Sequence, residues 1–243
     1  MRICIVQTRP VKGDIGQNLL AHGKFVQQAA EKGVDLIVFP ELSLTGYEPL
    51  LATQLATTQD DDRFDGLQEL SSTNDITIAA GLPTRVGSDL FISLIVFQPG
   101  KERFTYSKQY LYPTEREIFT PGKKKFYLDF DGKNKVAFAI CYELSNARHS
   151  EDAHGCNVNI YIASVLNSVG GIDGDIQKLS EIACKYRMFT FMANYVGQSG
   201  GYECAGKSSV WDQDGVLLAQ LDDSHEGFLI FDTDTRIVDK VVC

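Results

Sequence analysis

Residues 135–143 read K-V-A-F-A-I-C-Y-E, a short apolar run that stops at a cysteine followed by an aromatic residue and a carboxylate. Val136, Phe138 and Ile140 alternate with alanines, the pattern of a buried strand, and Cys141 falls where that strand ends. Strand ends that open onto loops are where α/β proteins carry reactive groups. A free cysteine is also a common core residue, so the run by itself leaves Cys141 open between nucleophile and packing thiol.

Working outward, residues 126–130 and 136–140 flank D-G-K-N, a hairpin signal. Upstream, the runs at 76–82, 90–97 and 103–107 read as three successive strands separated by Gly-containing turns, and the last delivers the chain to Lys108. Between Lys108 and Gly122 there is no clear period, and Pro113 and Pro121 argue for a loop or short helix. Nearer the start, residues 3–7 form a strand, and residues 18–32 carry a helical apolar stripe stopped by Gly33. D-L-I-V-F-P-E at residues 35–41 is an apolar strand broken by Pro40 and closed by Glu41, which gives a βαβ-like opening. A polar stretch at 60–72 is a further candidate helix.

Downstream of Cys141, residues 147–153 suggest a short helix, 158–163 a buried strand, 175–187 a periodic helix and 189–195 another strand. The runs at 206–211, 216–221 and 227–231 alternate with Gly and Asp-Gly turns as an antiparallel meander would. Many strands and about four helices point to an α/β or α+β sandwich.

The chain has 243 residues, 44% of them hydrophobic, enough for a substantial core, and no linker composition divides it, so a single domain over residues 1–243 is expected. A net charge of −9 argues against a nucleic-acid partner, which needs clustered cations; the K-K-K at 123–125 reads as a solvated strand entrance. No run is long enough for a membrane span and the N-terminus lacks a signal-peptide core, so a soluble, cytoplasmic protein is expected. Six cysteines lie unpaired in spacing at 4, 141, 156, 184, 204 and 243, as reduced thiols would.

Glu41, Lys108 and Cys141 each stand after a strand-like run. If those strands lie side by side and point the same way, the three side chains crowd one edge of a sheet. Such a trio suits acyl transfer: the carboxylate takes the thiol proton, the ammonium stabilises thiolate and oxyanion, and the backbone N–H of Tyr142 adds a second oxyanion donor. Spacing alone does not single the trio out, since strands often end at charged residues.

F-P-E-L-S-L-T-G-Y at 39–47, S-K-Q-Y-L-Y-P-T-E-R-E-I-F-T-P-G at 107–122 and A-I-C-Y-E at 139–143 resemble the three signature blocks of the nitrilase superfamily of carbon–nitrogen hydrolases. The resemblance extends to M-A-N-Y-V-G at 192–197 and A-G-K-S-S-V-W-D-Q-D-G at 205–215, and so covers nearly the whole chain. It implies a four-layer α-β-β-α sandwich, a homodimer, and no metal or organic cofactor. By position it implies Glu41 as general base, Lys108 as catalytic lysine, Cys141 as nucleophile, and Glu115 as a second glutamate near the lysine.

The expected activity is hydrolysis of a small linear non-peptide amide through a thioester, with N-carbamoyl amine or nitrile hydrolysis as alternatives. A binding protein that keeps the fold without turnover is the non-enzyme alternative. Tyr47, Tyr142 and Glu143, beside the strand ends, are the candidate substrate contacts. Many relatives continue after the nucleophile with arginine, phenylalanine and proline, where this chain has Leu144, Ser145 and Asn146. Many also carry a histidine and an aromatic where this chain has G-G-I-D-G-D before and at Asp175, so both segments are expected to border the substrate. A metal cluster of Cys141, His149, His154 and Cys156 is disfavoured for want of a paired cysteine knuckle, and a surface helix accounts for the two histidines. The Gly pairs at 170–171 and 200–201 match no phosphate-loop pattern.

Overall fold

The alternation in residues 135–143 sorts side chains between two cores. In the computed structural model, which describes residues 1–243, Val136, Phe138 and Ile140 pack into a core between two sheets, while Ala137 and Ala139 lie under helices on the opposite face. Large residues fill the space between sheets, and small ones let helices approach closely.

One sheet contains β1 (Arg2–Gln7), β2 (Leu36–Val38), β3 (Thr77–Val86), β4 (Asp89–Phe97) and β5 (Phe104–Ser107). The other contains β6 (Tyr127–Asp129), β7 (Lys135–Ile140), β8 (Ile160–Ser164) and β9 (Phe189–Ala193). A small hairpin of β10 (Val196–Ser199) and β11 (Tyr202–Ala205) follows, then β12 (Ser209–Trp211) and β13 (Leu217–Gln220) extend the second sheet. β14 (Gly227–Asp232) and β15 (Val238–Val242) return to the first. The strand orders are β15-β14-β1-β2-β3-β4-β5 and β13-β12-β9-β8-β7-β6.

The helices are α1 (Ile15–Ala30), α2 (Ala52–Leu55), α3 (Asp65–Asn74), α4 (Ala147–Gly155) and α5 (Ile172–Tyr186). Phe25, Val26 and Ala29 of α1 and Leu67 of α3 pack on Cys4, Val6 and Ile37 of the first sheet. Leu179, Ile182 and Ala183 of α5 and Ala153 of α4 pack on Tyr161 and Ala163 of the second. The layers are therefore α-β-β-α. α1 starts ahead of the apolar stripe because the Asp14 side chain caps it, accepting from the Gln17 N–H at 2.9 Å.

The end of the chain departs from a meander. β14 leaves the second sheet and inserts between β1 and β15, antiparallel to both. The reason lies in its sequence: Phe228 and Ile230 enter the helix-side core, whereas Leu229 and Phe231 enter the core between sheets. A strand apolar on both faces belongs inside a sheet. No helix is long and apolar enough to cross a membrane.

Candidate active site

β2, β3 and β5 run the same way, with β4 reversed, so Glu41 after β2 and Lys108 after β5 emerge at one end of the first sheet. Cys141 comes from β7 in the other sheet. The three strand ends thus meet across the stacked sheets, and not along one sheet edge. A cross-sheet bond from the Ser164 hydroxyl to the Phe39 carbonyl, 2.8 Å, ties the same ends together.

Local sequence shapes each turn. Pro40 has no N–H to continue β2, and the chain turns at once, with Leu42 at a φ of 54°. This turn lies against β3 at Gly81, where a Cβ would stand 2.3 Å from the Leu42 nitrogen, so only glycine fits. The Tyr195 hydroxyl donates to the Glu41 carbonyl. Lys108 is held by its own N–H to the Ile92 carbonyl at 2.8 Å and by the Gly122 N–H to its carbonyl at 2.7 Å. A Cβ at Gly122 would sit 2.2 Å from the Ser107 carbonyl oxygen. Cys141 opens a 3₁₀ turn (Cys141–Ser145) with φ 45°, a left-handed conformation unusual outside glycine, and this elbow presents its thiol.

Lys108 is fully buried, and its ammonium donates to Glu41 Oε1 at 2.7 Å and to Glu115 Oε1 at 2.8 Å. Glu115, in the 3₁₀ turn Pro113–Glu117, also accepts from the Tyr47 hydroxyl at 2.9 Å and, on Oε2, from the Tyr112 N–H at 2.7 Å. Glu41 is equally buried, but its Oε2 has no hydrogen-bond partner. Burial raises the Glu41 carboxyl to about 7; Lys108 opposes that rise and Glu115 adds to it.

Burial by itself would depress the Lys108 ammonium, yet the surrounding negative groups outweigh it and the net shift is upward. Burial, reinforced by Glu41, pushes the Cys141 thiol well above its ordinary value, with Lys108 acting the other way. At rest this is a protonated thiol beside a carboxylate that titrates near neutrality and a permanent cation.

A cavity of about 420 Å³ opens over the cluster, lined by Glu41, Glu115 and Cys141 at one end. Tyr47 and Tyr142 line it, as the sequence suggests, joined by Tyr112 and Tyr202. Ser145, Asn167, Asp175 and Lys178 form its polar wall. The Lys178 ammonium donates to Ser145 Oγ at 2.8 Å and to Asp175 Oδ1 at 2.9 Å, and the Asn167 amide donates to Asp175 Oδ2 at 2.8 Å. Both departing segments therefore reach the cavity, but unevenly: Leu144 turns into the helix-side core, and the Asn146 side chain caps α4 by accepting from Arg148. Asn167, Lys178 and Tyr202 carried no sequence signal, because a lone polar or aromatic residue in a helix or loop has no diagnostic spacing; Tyr112 lies inside the 107–122 block but was not singled out there.

Glu143, expected at the substrate, is instead fully buried and does not line the cavity. The short turn after Cys141 swings its side chain back under the elbow, where both oxygens are taken by protein donors. His149, expected on a helix surface, is buried too, bonded to the hydroxyls of Tyr106 and Tyr161 at 2.9 and 2.7 Å. α4 lays this face on the sheet, so only His154 of the pair is exposed.

The carbon-nitrogen hydrolase family model matches residues 2–240. Among curated relatives, a nitrilase from Pyrococcus abyssi is 23% identical over 98% of this chain and 91% of its own length. An (R)-stereoselective amidase from Pseudomonas sp. is 27% identical over 90% of this chain and 80% of its own. A glutamine-dependent NAD(+) synthetase from Acinetobacter baylyi is 26% identical over 90% of this chain, which spans only 41% of that protein. Among solved structures, an amidase from Nesterenkonia sp. AN1, with acrylamide added at its active-site cysteine, superposes with a TM-score of 0.86 at 23% identity, covering 96% of this chain and 92% of that one. With the family's pattern running from residue 2 to residue 240 and the same four layers beneath it, the chain belongs to the carbon-nitrogen hydrolase family.

Proposed function

We propose that the protein is a cysteine-dependent amidase that cleaves the C–N bond of a small linear amide through a thioester. The observation that carries this reading is the meeting of Glu41, Lys108 and Glu115 beneath a cavity that also holds the Cys141 thiol. Glu41 Oε2, without a partner of its own, takes the thiol proton as the sulfur attacks the carbonyl carbon. Two of the Lys108 hydrogens are committed to Glu41 and Glu115, which leaves the third for the oxyanion beside the Tyr142 N–H.

Glu41 then passes its proton to the departing nitrogen as the C–N bond breaks, and ammonia or an amine leaves the acyl thioester behind. In the second half Glu41 draws a proton from water, the hydroxyl adds to the thioester, and the thiol and a carboxylic acid are released. Glu115 keeps the Lys108 ammonium aimed at the oxyanion, while Tyr47 and Tyr142 border the acyl group. The cavity, about 420 Å³, has room for a small amide.

The test offers small amides, N-carbamoyl amines and nitriles, measures released ammonia, and looks for an acyl adduct by intact mass. Turnover of at least one amide is expected, with adduct and turnover both lost in Cys141→Ala by about 10³-fold or more. Turnover that survives this substitution overturns the mechanism. Ligand binding without turnover across the panel favours a binding protein on the same fold.

A further inference from the structure

The thioester route, on which this inference rests, needs a fixed separation between Lys108 and Cys141, although the two leave different sheets. Their backbones meet at one side chain. Glu143 Oε1 accepts from the N–H of Gln109, the residue after Lys108, at 2.6 Å. Its Oε2 accepts from the N–H of Ile140, the residue before Cys141, at 2.7 Å. A carboxylate can accept from two amides in different directions at once, and bonds to its charged form are the short, strong kind.

The support behind it is closed. The Tyr106 hydroxyl donates to Glu143 Oε2 at 2.8 Å, and Tyr106 is contacted in turn by His149 Nε2 at 2.9 Å. With the Tyr106 hydroxyl hydrogen directed at Glu143 Oε2, His149 carries its hydrogen on Nε2 and accepts from the Tyr161 hydroxyl on Nδ1, at 2.7 Å. A plainer role exists, since Glu143 also caps the 3₁₀ turn through the Ile140 N–H. Capping accounts for Ile140 and leaves the Gln109 contact unexplained.

The geometry points to Glu143 as a positioning residue that clasps the Lys108 loop to the Cys141 elbow and so fixes the ammonium relative to the thiol. It touches neither substrate nor reacting atoms.

Two variants test it. Glu143→Gln keeps one acceptor oxygen but turns the other into a donor facing an N–H, so only half the clasp can form. Glu143→Asp keeps charge and both oxygens on a stem one methylene shorter, which cannot span both amides. In each, kcat is expected to fall about 10-fold or more with KM held within about 3-fold, as small misplacements do. The second readout is the pH dependence of iodoacetamide alkylation, followed on the Cys141 peptide because Cys184 and Cys243 are more exposed than Cys141. Its midpoint should rise by about half a pH unit or more as the thiol loses its ammonium neighbour.

Alkylation needs no turnover, so it separates the two ideas: turnover surviving Cys141→Ala removes the thioester reading and leaves the alkylation arm intact. Unchanged kcat in folded variants, or a fall in kcat without a shifted alkylation profile, overturns the positioning role. Loss of the fold in both variants, seen by circular dichroism, overturns it as well, because the carboxylate is then a stability element.

Discussion

On the pocket side of the elbow, Glu41 shares a fully buried ammonium with Glu115 and still has one oxygen without a partner. Behind the elbow, Glu143 has no ammonium partner, yet both oxygens are filled by donors from Gln109, Ile140 and Tyr106. The two carboxylates are equally sealed, at 1% and 0% exposure, so burial does not distinguish them. Hydrogen-bond satisfaction does. Glu41 lines the cavity, so the oxygen that no other protein donor occupies faces the space a substrate would fill, whereas both Glu143 oxygens are held by protein donors. On the proposed mechanism the satisfied carboxylate holds backbone in place and the other one reacts.

Glu41→Gln is the substitution with the largest expected effect on this contrast. It keeps an oxygen for Lys108 and removes the base, so kcat should fall by about 10³-fold. As the proposed base, Glu41 must be ionised to accept the thiol proton, so kcat/KM should decline as pH falls through about 7, and the variant's residual rate should lack that limb. The same group has a linkage signature. Its pKa is raised from 4.5 to about 7 on folding, so the folded state holds this proton more tightly. That stabilisation is complete below 4.5 and is lost as pH rises through 7. Thermal unfolding between pH 4.5 and 8 should show less loss of stability in the variant. An activity limb near 4.5 would mean that burial does not tune Glu41.

Lys108→Met comes next. Loss of an oxyanion donor should cut kcat by about 10²-fold, measured in the same ammonia assay. Glu41 and Glu115 would then face each other without their cation, so the variant should lose more stability at pH 8 than at pH 5, where protonation relieves the repulsion. Near-normal kcat would take Lys108 out of the chemistry.

The contrast between the carboxylates was half legible in the sequence. Glu41, Lys108 and Cys141 each follow a strand-like run, because one-dimensional periodicity records where a strand stops, but it is the resemblance of the blocks at 39–47, 107–122 and 139–143 that singles them out. Most strands are legible from their apolar patterns, down to the alternation in β7, whereas β10, β11 and β15, with few apolar residues in succession, are not. Which sheet a strand joins is recorded only when both of its faces are read, and this is why β14 was mistaken for part of a meander. Glu143 was misplaced because the direction of its side chain depends on a single tight turn at Cys141, a three-dimensional detail without a periodic trace. The polar wall of Asn167, Asp175 and Lys178 is assembled from a loop and a helix face, and only Asp175 had drawn notice, as the end of a departing segment.

The smallest expected effects give the finest comparison, because the two clusters offer nearly the same bond twice. Tyr47 donates to Glu115 at 2.9 Å on the pocket side, and Tyr106 donates to Glu143 at 2.8 Å behind the elbow. Tyr106→Phe leaves both backbone contacts of Glu143 in place but removes the hydroxyl that His149 Nε2 and the Gln109 side chain contact, in a buried setting. Stability should drop by roughly 1–3 kcal/mol in urea unfolding, while kcat stays within about 3-fold. Tyr47→Phe acts at a half-buried residue, where the lost bond costs stability about 1 kcal/mol or less. It also frees the carboxylate that aims Lys108, so its effect should appear as a fall of about 10-fold in kcat/KM. If the two substitutions exchanged signatures, with rate lost at Tyr106 and stability at Tyr47, the division between a reacting cluster and a holding cluster would fail. The hydrogen bonds are matched in length, so the exchange could not be put down to bond strength and would have to come from where each carboxylate points.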